Sequence, residues 1–150
     1  MMFKNRAINK EYLAIVEGIA GNAGETKTLE NYHEKDGKTR IAKIMEPKTA
    51  TSTQIITKYT VTASNKTHSL LRVEPITGRF HQIRAHLSFA GFPLAGDIKY
   101  GGKPIDAKYG KNLLLHCHRL SAAYKGGMAW TAPVPENFIK YINTCFGVSV

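Results

Sequence analysis

Residues 53–76, TQIITKYTVTASNKTHSLLRVEPI, decide the fold. TQIITKYTVTA (53–63) and HSLLRVEPI (68–76) are rich in β-branched residues, which suit a pleated, half-buried surface. Ser64, Asn65, Lys66 and Thr67 between them have the composition of a turn, so the stretch predicts a β-hairpin. Upstream, KEYLAIVEG (10–18) alternates in part and then runs apolar into Gly18, as a strand leaving the core does. From Gly21 to about Lys38 the chain is polar and carries Gly21, Gly24 and Gly37, which predicts an exposed connection with short strand pieces.

Downstream of the hairpin the period changes. In TGRFHQIRAHLSFAGFP (77–93), Phe80, Ile83, Leu87 and Ala90 recur at helical spacing, with Thr77 before them and Gly91 and Pro93 after, predicting a short amphipathic helix. Residues 94–112 hold Gly96, Gly101, Gly102, Pro104 and Gly110, too many breakers for anything but a loop. LLLHCHRLSAAY (113–124) and GMAWTAP (127–133) read as two further strands joined at Lys125 and Gly126, and a helix follows from Pro135 to about Phe146. Strands with two helices imply an α+β domain: a mainly antiparallel β-sheet with helices packed on it.

A length of 150 residues with 43% hydrophobic content suits one domain around a single core. No run approaches the roughly 18 apolar residues of a membrane span. The opening MMFKNRAINK has charges where a signal peptide places its apolar region, so a cytoplasmic setting is expected. Cys117 and Cys145 stand alone and far apart, which reads as two reduced thiols and gives no zinc or disulfide signature. The net charge of +10, from 21 Lys and Arg against 11 Asp and Glu, favours a polyphosphate partner through counterion release.

Arg79, His81, Gln82, Arg84 and His86 crowd into eight residues around the apolar stripe of the predicted helix. His81, Arg84 and Ser88 fall on one face at i, i+3, i+7, while Gln82 and His86 pair at i, i+4. An arginine fork grips a carboxylate or phosphate through two hydrogen bonds, and a helix opening at Thr77 and Gly78 would add free N–H groups near Arg79. Spacing alone weighs this anion-binding reading equally with a solvated amphipathic helix. Tyr12, on the residues alone, is an ordinary core tyrosine of a strand.

The segment EPITGRFHQIRAHLSFAGFPLAGDIKYGG (74–102) resembles the motif P-x-T-G-R-x-H-Q-I-R-x-H followed by G-x-P-L-x-G-D-x-x-Y-G of RNA pseudouridine synthases of the large-ribosomal-subunit (RluA/RluD-like) type. NKEYLAIVEG (9–18) is similar to that family's K-x-Y-x-A-x-V-x-G strand, and LLLHCHRLSAAYKGGMAWTAPVPENF (113–138) to its L-L-H-x-x-R-L segment ending in A-P-x-P-x-x-F. The likeness covers nearly the whole chain, residues 19–50 least well.

The resemblance implies an isomerase that converts uridine to pseudouridine in structured RNA, ribosomal RNA above all, with no metal and no organic cofactor. It assigns Tyr12 as the tyrosine that stacks on the flipped uracil, and Arg84 as the basic residue that pairs with the catalytic aspartate. One of Leu113, Leu114 and Leu115 is expected beneath the tyrosine. Lys10, Arg79, His81, Gln82 and His86 form the expected RNA-binding set. Asp97 matches a structural loop, so it reads as a loop organiser.

The family's nucleophile lies in an H-R-L-D-x-x-T-S-G segment well before the K-x-Y strand, and only nine residues precede Lys10. The three aspartates, Asp36, Asp97 and Asp106, all lack that context, and His118-Arg119-Leu120 is followed by Ser121. The chain therefore resembles the C-terminal portion of the catalytic domain, expected to be inactive alone and to self-associate or pair with an N-terminal half. The alternative is a non-catalytic RNA-binding module. A hydrolase using His81 or His86 lacks a nucleophile at elbow-like spacing.

Overall fold

In the computed structural model, which describes residues 8–122 and 127–149, the hairpin forms as expected, with strand β4 (Thr53–Ser64) turning into β5 (His68–Pro75). The Asn65 side chain closes the turn by accepting hydrogen bonds from the N–H groups of Thr67 and His68. The hairpin lies at the centre of a seven-stranded antiparallel sheet whose other strands are β1 (Ile8–Glu17), β2 (Thr26–Lys35), β3 (Ala42–Met45), β6 (Leu115–Ala122) and β7 (Met128–Thr131). The strand order is β3-β2-β4-β5-β1-β6-β7. Two helices complete the fold, α1 (Gln82–Phe89) and α2 (Glu136–Phe146). The expected α+β class and antiparallel sheet are what the chain adopts. The join expected at Lys125 and Gly126 lies outside the described residues.

The helices cover opposite faces, because neighbouring residues of a strand point to opposite sides. Ala14 and Val16 of β1, with Leu71 and Val73 of β5, pack on Ile83 and Leu87 of α1. Leu13 and Ile15, with Leu70, pack on Phe138, Tyr141 and Ile142 of α2. The apolar run LAIV (13–16) thus serves two cores at once. A bulge after Val61 lets Val61 and Ala63 face different cores although they are two residues apart.

The stretch read as an exposed connection is the largest departure. Residues 26–35 form one ten-residue strand, paired with β4 from Thr26↔Thr60 to His33↔Thr53. Its inward residues include Asn31 and His33, whose side chains bond to His86 Nε2 and to the Phe80 carbonyl, so no apolar alternation marks it. Non-local pairing with β4, and not its own composition, makes it a strand.

The helix boundary also differs. α1 starts at Gln82, not near Thr77, and residues 77–81 form a loop along its end. Gln82 causes this: its Oε1 accepts from the Arg79 N–H and the Thr77 hydroxyl, folding the approach back on the helix. Thr77 and Gly78 consequently do not supply a helix N-terminus for an anion. Residues 94–112 are a loop with two single-turn pieces, Ile98–Tyr100 and Ala107–Tyr109. Among the described residues no helix is long and apolar enough to cross a membrane.

Candidate active site

A cavity of about 590 Å³ opens at the start of β1, lined by Ile8, Lys10 and Tyr12 of that strand, Arg79, His81 and Arg84 from the α1 region, and Leu115 of β6. Three distant parts of the chain meet there for a simple reason. Ile8, Lys10 and Tyr12 alternate on the sheet face that α1 covers. Tyr12 lies opposite Cys117 in β6, which puts Leu115, two residues on, against the same face. Of the three leucines, Leu115 lines the cavity with Tyr12, while Leu114 turns to the α2 core.

The Tyr12 hydroxyl titrates above its ordinary range, first because it is partly buried and then because the Cys117 thiol is its neighbour. The phenol is accordingly neutral at physiological pH, a stacking surface and a hydrogen-bond donor.

The two polar rows of α1 have opposite jobs. Gln82 and His86 point into the sheet. The Gln82 amide donates to the Ile56 carbonyl and to the Thr57 hydroxyl at 2.9 and 3.0 Å. His86 is fully buried, with Nδ1 2.8 Å from the Thr57 hydroxyl and Nε2 2.9 Å from Asn31 Oδ1. Asn31 Oδ1 can only accept, so Nε2 carries the proton and Thr57 donates to Nδ1. Gln82 borders the cavity but its amide is fully engaged, and His86 does not line it. Both were expected to face RNA, and both instead clamp α1 to β4 and β2. Two polar rows at helical spacing look alike in sequence; only the sheet distinguishes them.

Burial lowers the His86 pKa from its ordinary value to about 4. The unfolded chain therefore binds the proton more readily than the folded one. The stability this group contributes is complete above about pH 6.5 and is lost as pH falls towards 4. A full shift converts to roughly 3 kcal/mol, and relaxation around the ring lowers that to roughly 2 kcal/mol. Urea midpoints measured between pH 7 and 4 are expected to fall accordingly, with a His86→Gln chain losing most of that pH dependence.

The other row faces the loop after α1. Arg84 Nε and Nη2 donate to Asp97 Oδ2 and Oδ1 at 2.9 and 2.8 Å, a two-point fork. Asp97 is 1% exposed and the Arg84 side chain 21%. The Asp97 carbonyl also accepts from the Gly102 N–H at 2.8 Å, so Asp97 does organise its loop and holds Arg84 as well. Gly102 has no room for a side chain here, since a Cβ would lie 2.3 Å from the Leu94 carbonyl oxygen.

Arg84 Nη1 lies 3.3 Å from His81 Nε2, and His81 Nδ1 lies 2.7 Å from the Tyr100 hydroxyl, which also accepts from the Ala42 N–H. Because Arg84 can only donate, His81 holds its proton on Nδ1. Burial, then Arg84 and Lys99, lower the His81 pKa, keeping the ring neutral. His81 has a left-handed backbone, φ 51° and ψ 26°, uncommon for a residue with a Cβ, and its ring stacks on Phe80 at 3.8 Å. Phe80 in turn carries the Lys35 ammonium 4.3 Å from its ring centre.

Tyr12, Arg84, Lys10, Arg79 and His81 thus share one cavity, of which Lys10 and Arg79 are exposed. The sequence reading missed Glu74, the one carboxylate in the lining among the described residues, and the Phe80–Lys35 stack. Glu74 carries no local signal, since it is one charged residue at a strand end.

Comparison with known proteins identifies the family of the chain that builds this cavity. The sequence profile of the family described as RNA pseudouridylate synthase matches residues 1–89, which include both Tyr12 and Arg84. The chain belongs to the RNA pseudouridylate synthase family. Its relatives include an uncharacterized RNA pseudouridine synthase of Helicobacter pylori strain J99, 36% identical over an alignment of 145 residues that covers 91% of this chain and 51% of that protein. The ribosomal large subunit pseudouridine synthase D of Haemophilus influenzae is 29% identical over 154 residues, covering 93% of this chain and 46% of that one. The solved human RNA pseudouridylate synthase domain containing 4 superposes with a TM-score of 0.73 at 21% identity, over 95% of this chain and 64% of that chain, and so shares the fold. This pseudouridylate synthase family chain spans about half the length of the curated relatives it matches.

Proposed function

We propose that these residues form the uridine-receiving half of an RNA pseudouridine synthase acting on structured RNA, with ribosomal RNA the first candidate. One observation carries the reading: Tyr12 from the first strand and Arg84 from the first helix line the same basic cavity. Tyr12 stacks on a base swung out of the RNA, offsetting the few kcal/mol that unstacking costs. Its neutral phenol donates to the base without ionising. Lys10 and Arg79 meet the flanking phosphates.

Isomerisation breaks the N1–C1′ bond of uridine and rejoins the base through C5, and a carboxylate nucleophile starts it. The H-R-L-D pattern that supplies this aspartate in the family does not occur within residues 1–150. We assign it to a segment delivered against Arg84 Nη1, the guanidinium nitrogen that Asp97 leaves open. That nitrogen's contact with His81 is the long one, at 3.3 Å. The Arg84 fork held by Asp97 also favours a second reading, a self-contained RNA-binding module.

One experiment separates these. Residues 1–150, alone and joined to an H-R-L-D segment from a relative, are incubated with large-subunit RNA fragments, and binding and pseudouridine content are measured. Salt-sensitive binding without turnover by residues 1–150 alone is expected, with turnover in the joined chain. Tyr12→Ala should weaken binding about tenfold, as loss of one base stack does, and Tyr12→Phe should retain it. Binding with no turnover in either form would favour the module. Pseudouridine made by residues 1–150 alone would overturn the placement of the nucleophile outside them and direct attention to Glu74.

A further inference from the structure

From Ile8 and Lys10 at the cavity rim, the same face of the sheet continues across β6 and β7 as an apolar surface to which the uridine-receiving role assigns nothing. In β1 and β6, Lys10 stands opposite Leu120, and in β6 and β7, Leu120 stands opposite Trp130. Side chains opposite one another in antiparallel strands share a face, so Lys10, Leu120 and Trp130 form one row across three strands. Tyr12 is two residues from Lys10 and shares that face. Ile8, Ala122 and Met128 form the parallel row beside it. Trp130 is 46% exposed and Met128 48%, large apolar groups open to solvent at the sheet edge. Arg119 and Thr131 fall on the opposite face with Glu11, so no carboxylate from these strands interrupts the row.

From these placements we infer that Trp130 is a second base-stacking platform, holding an unpaired nucleotide of the RNA strand that flanks the uridine stacked on Tyr12. The inference rests on the function proposed above. Three strands at about 4.8 Å spacing and one step of two residues along β1 put Trp130 about 12 Å from Tyr12. Lys10 stands two residues from Tyr12 along β1 and in the same cross-strand row as Trp130, so its ammonium can meet the backbone linking two splayed bases. Alternation of aromatic faces with a cation is what single-stranded nucleic acid requires, because every base offers a π-face and every linker a charge. The overall charge of +10 suits the same partner.

Trp130 is the chain's single tryptophan, so intrinsic fluorescence reports on this position alone. The chain is titrated with a uridine-centred RNA trimer and a uridine-centred heptamer, each end-labelled, with anisotropy and tryptophan emission followed together. The heptamer is expected to quench Trp130 with the same midpoint as its anisotropy change, and the trimer to bind without equivalent quenching. Trp130→Ala should weaken heptamer binding about tenfold and leave trimer binding unchanged, while Trp130→Phe, which keeps a stacking face, restores most of the loss.

Heptamer binding with unaltered Trp130 emission would overturn this inference and leave the proposed function standing. Absence of RNA binding by the parent chain would overturn both. Emission that shifts with protein concentration in the absence of RNA, together with a dimer in sedimentation, would assign the patch to a second copy and overturn the platform.

Discussion

Arg84→Met is expected to lower the stability of the chain by about 4 kcal/mol, and Asp97→Asn by only about 2 kcal/mol, in urea denaturation at neutral pH. The two substitutions break the same fork, yet their costs differ because the partners are unequally buried. Asp97 is 1% exposed, so removal of Arg84 strands a carboxylate that water cannot reach. Arg84 retains 21% exposure, so without Asp97 it can regain hydration, and it still donates one hydrogen bond to the asparagine oxygen. Equal costs would show that Asp97 is not closed off from solvent. Added salt should change the asymmetry little, since buried pairs are weakly screened. The functional consequence goes with the structural one. An arginine no longer fixed at Nε and Nη2 cannot present Nη1 in a defined direction, so Asp97→Asn should impair turnover in a nucleophile-complete chain more than it impairs RNA binding.

Leu87→Ala is expected to cost about 3 kcal/mol, the second large effect. Leu87 is fully buried between α1 and the sheet, among Ala14, Val16, Leu71 and Val73. Truncation leaves a cavity that strands on one side and a helix on the other cannot close without disturbing the Gln82 and His86 clamps. Phe89, on the same helix and 47% exposed, provides the comparison, and Phe89→Ser should change stability by no more than about 0.5 kcal/mol. Thermal and urea unfolding of the pair would check whether α1 is held by its apolar stripe or chiefly by its polar network. A Leu87→Ala cost below about 1 kcal/mol would favour the network.

Much of the architecture was legible because it is local. The central hairpin follows from two β-rich runs around Ser64–Thr67, and β1 from its apolar run. α2 follows from Pro135 at its start and spans nearly the expected range. β2 was not legible, because its inward positions hold Asn31 and His33 in place of aliphatic residues, and its register is supplied by β4. The motif around Arg84 was legible by resemblance, and with it the family.

The amino-acid sequence by itself determined the family and the antiparallel α+β class, since each rests on local pattern or on a long motif, and it singled out Tyr12 and Arg84, which the fold brings to one cavity. Tertiary structure decided how the crowded residues 79–86 divide their work. Gln82 and His86 turn to the sheet and clamp α1 to it, and His81 and Arg84 turn to the Tyr100 and Asp97 loop. The physical reason is that helical spacing specifies which side chains share a face. Only the packed sheet and loop specify what that face meets.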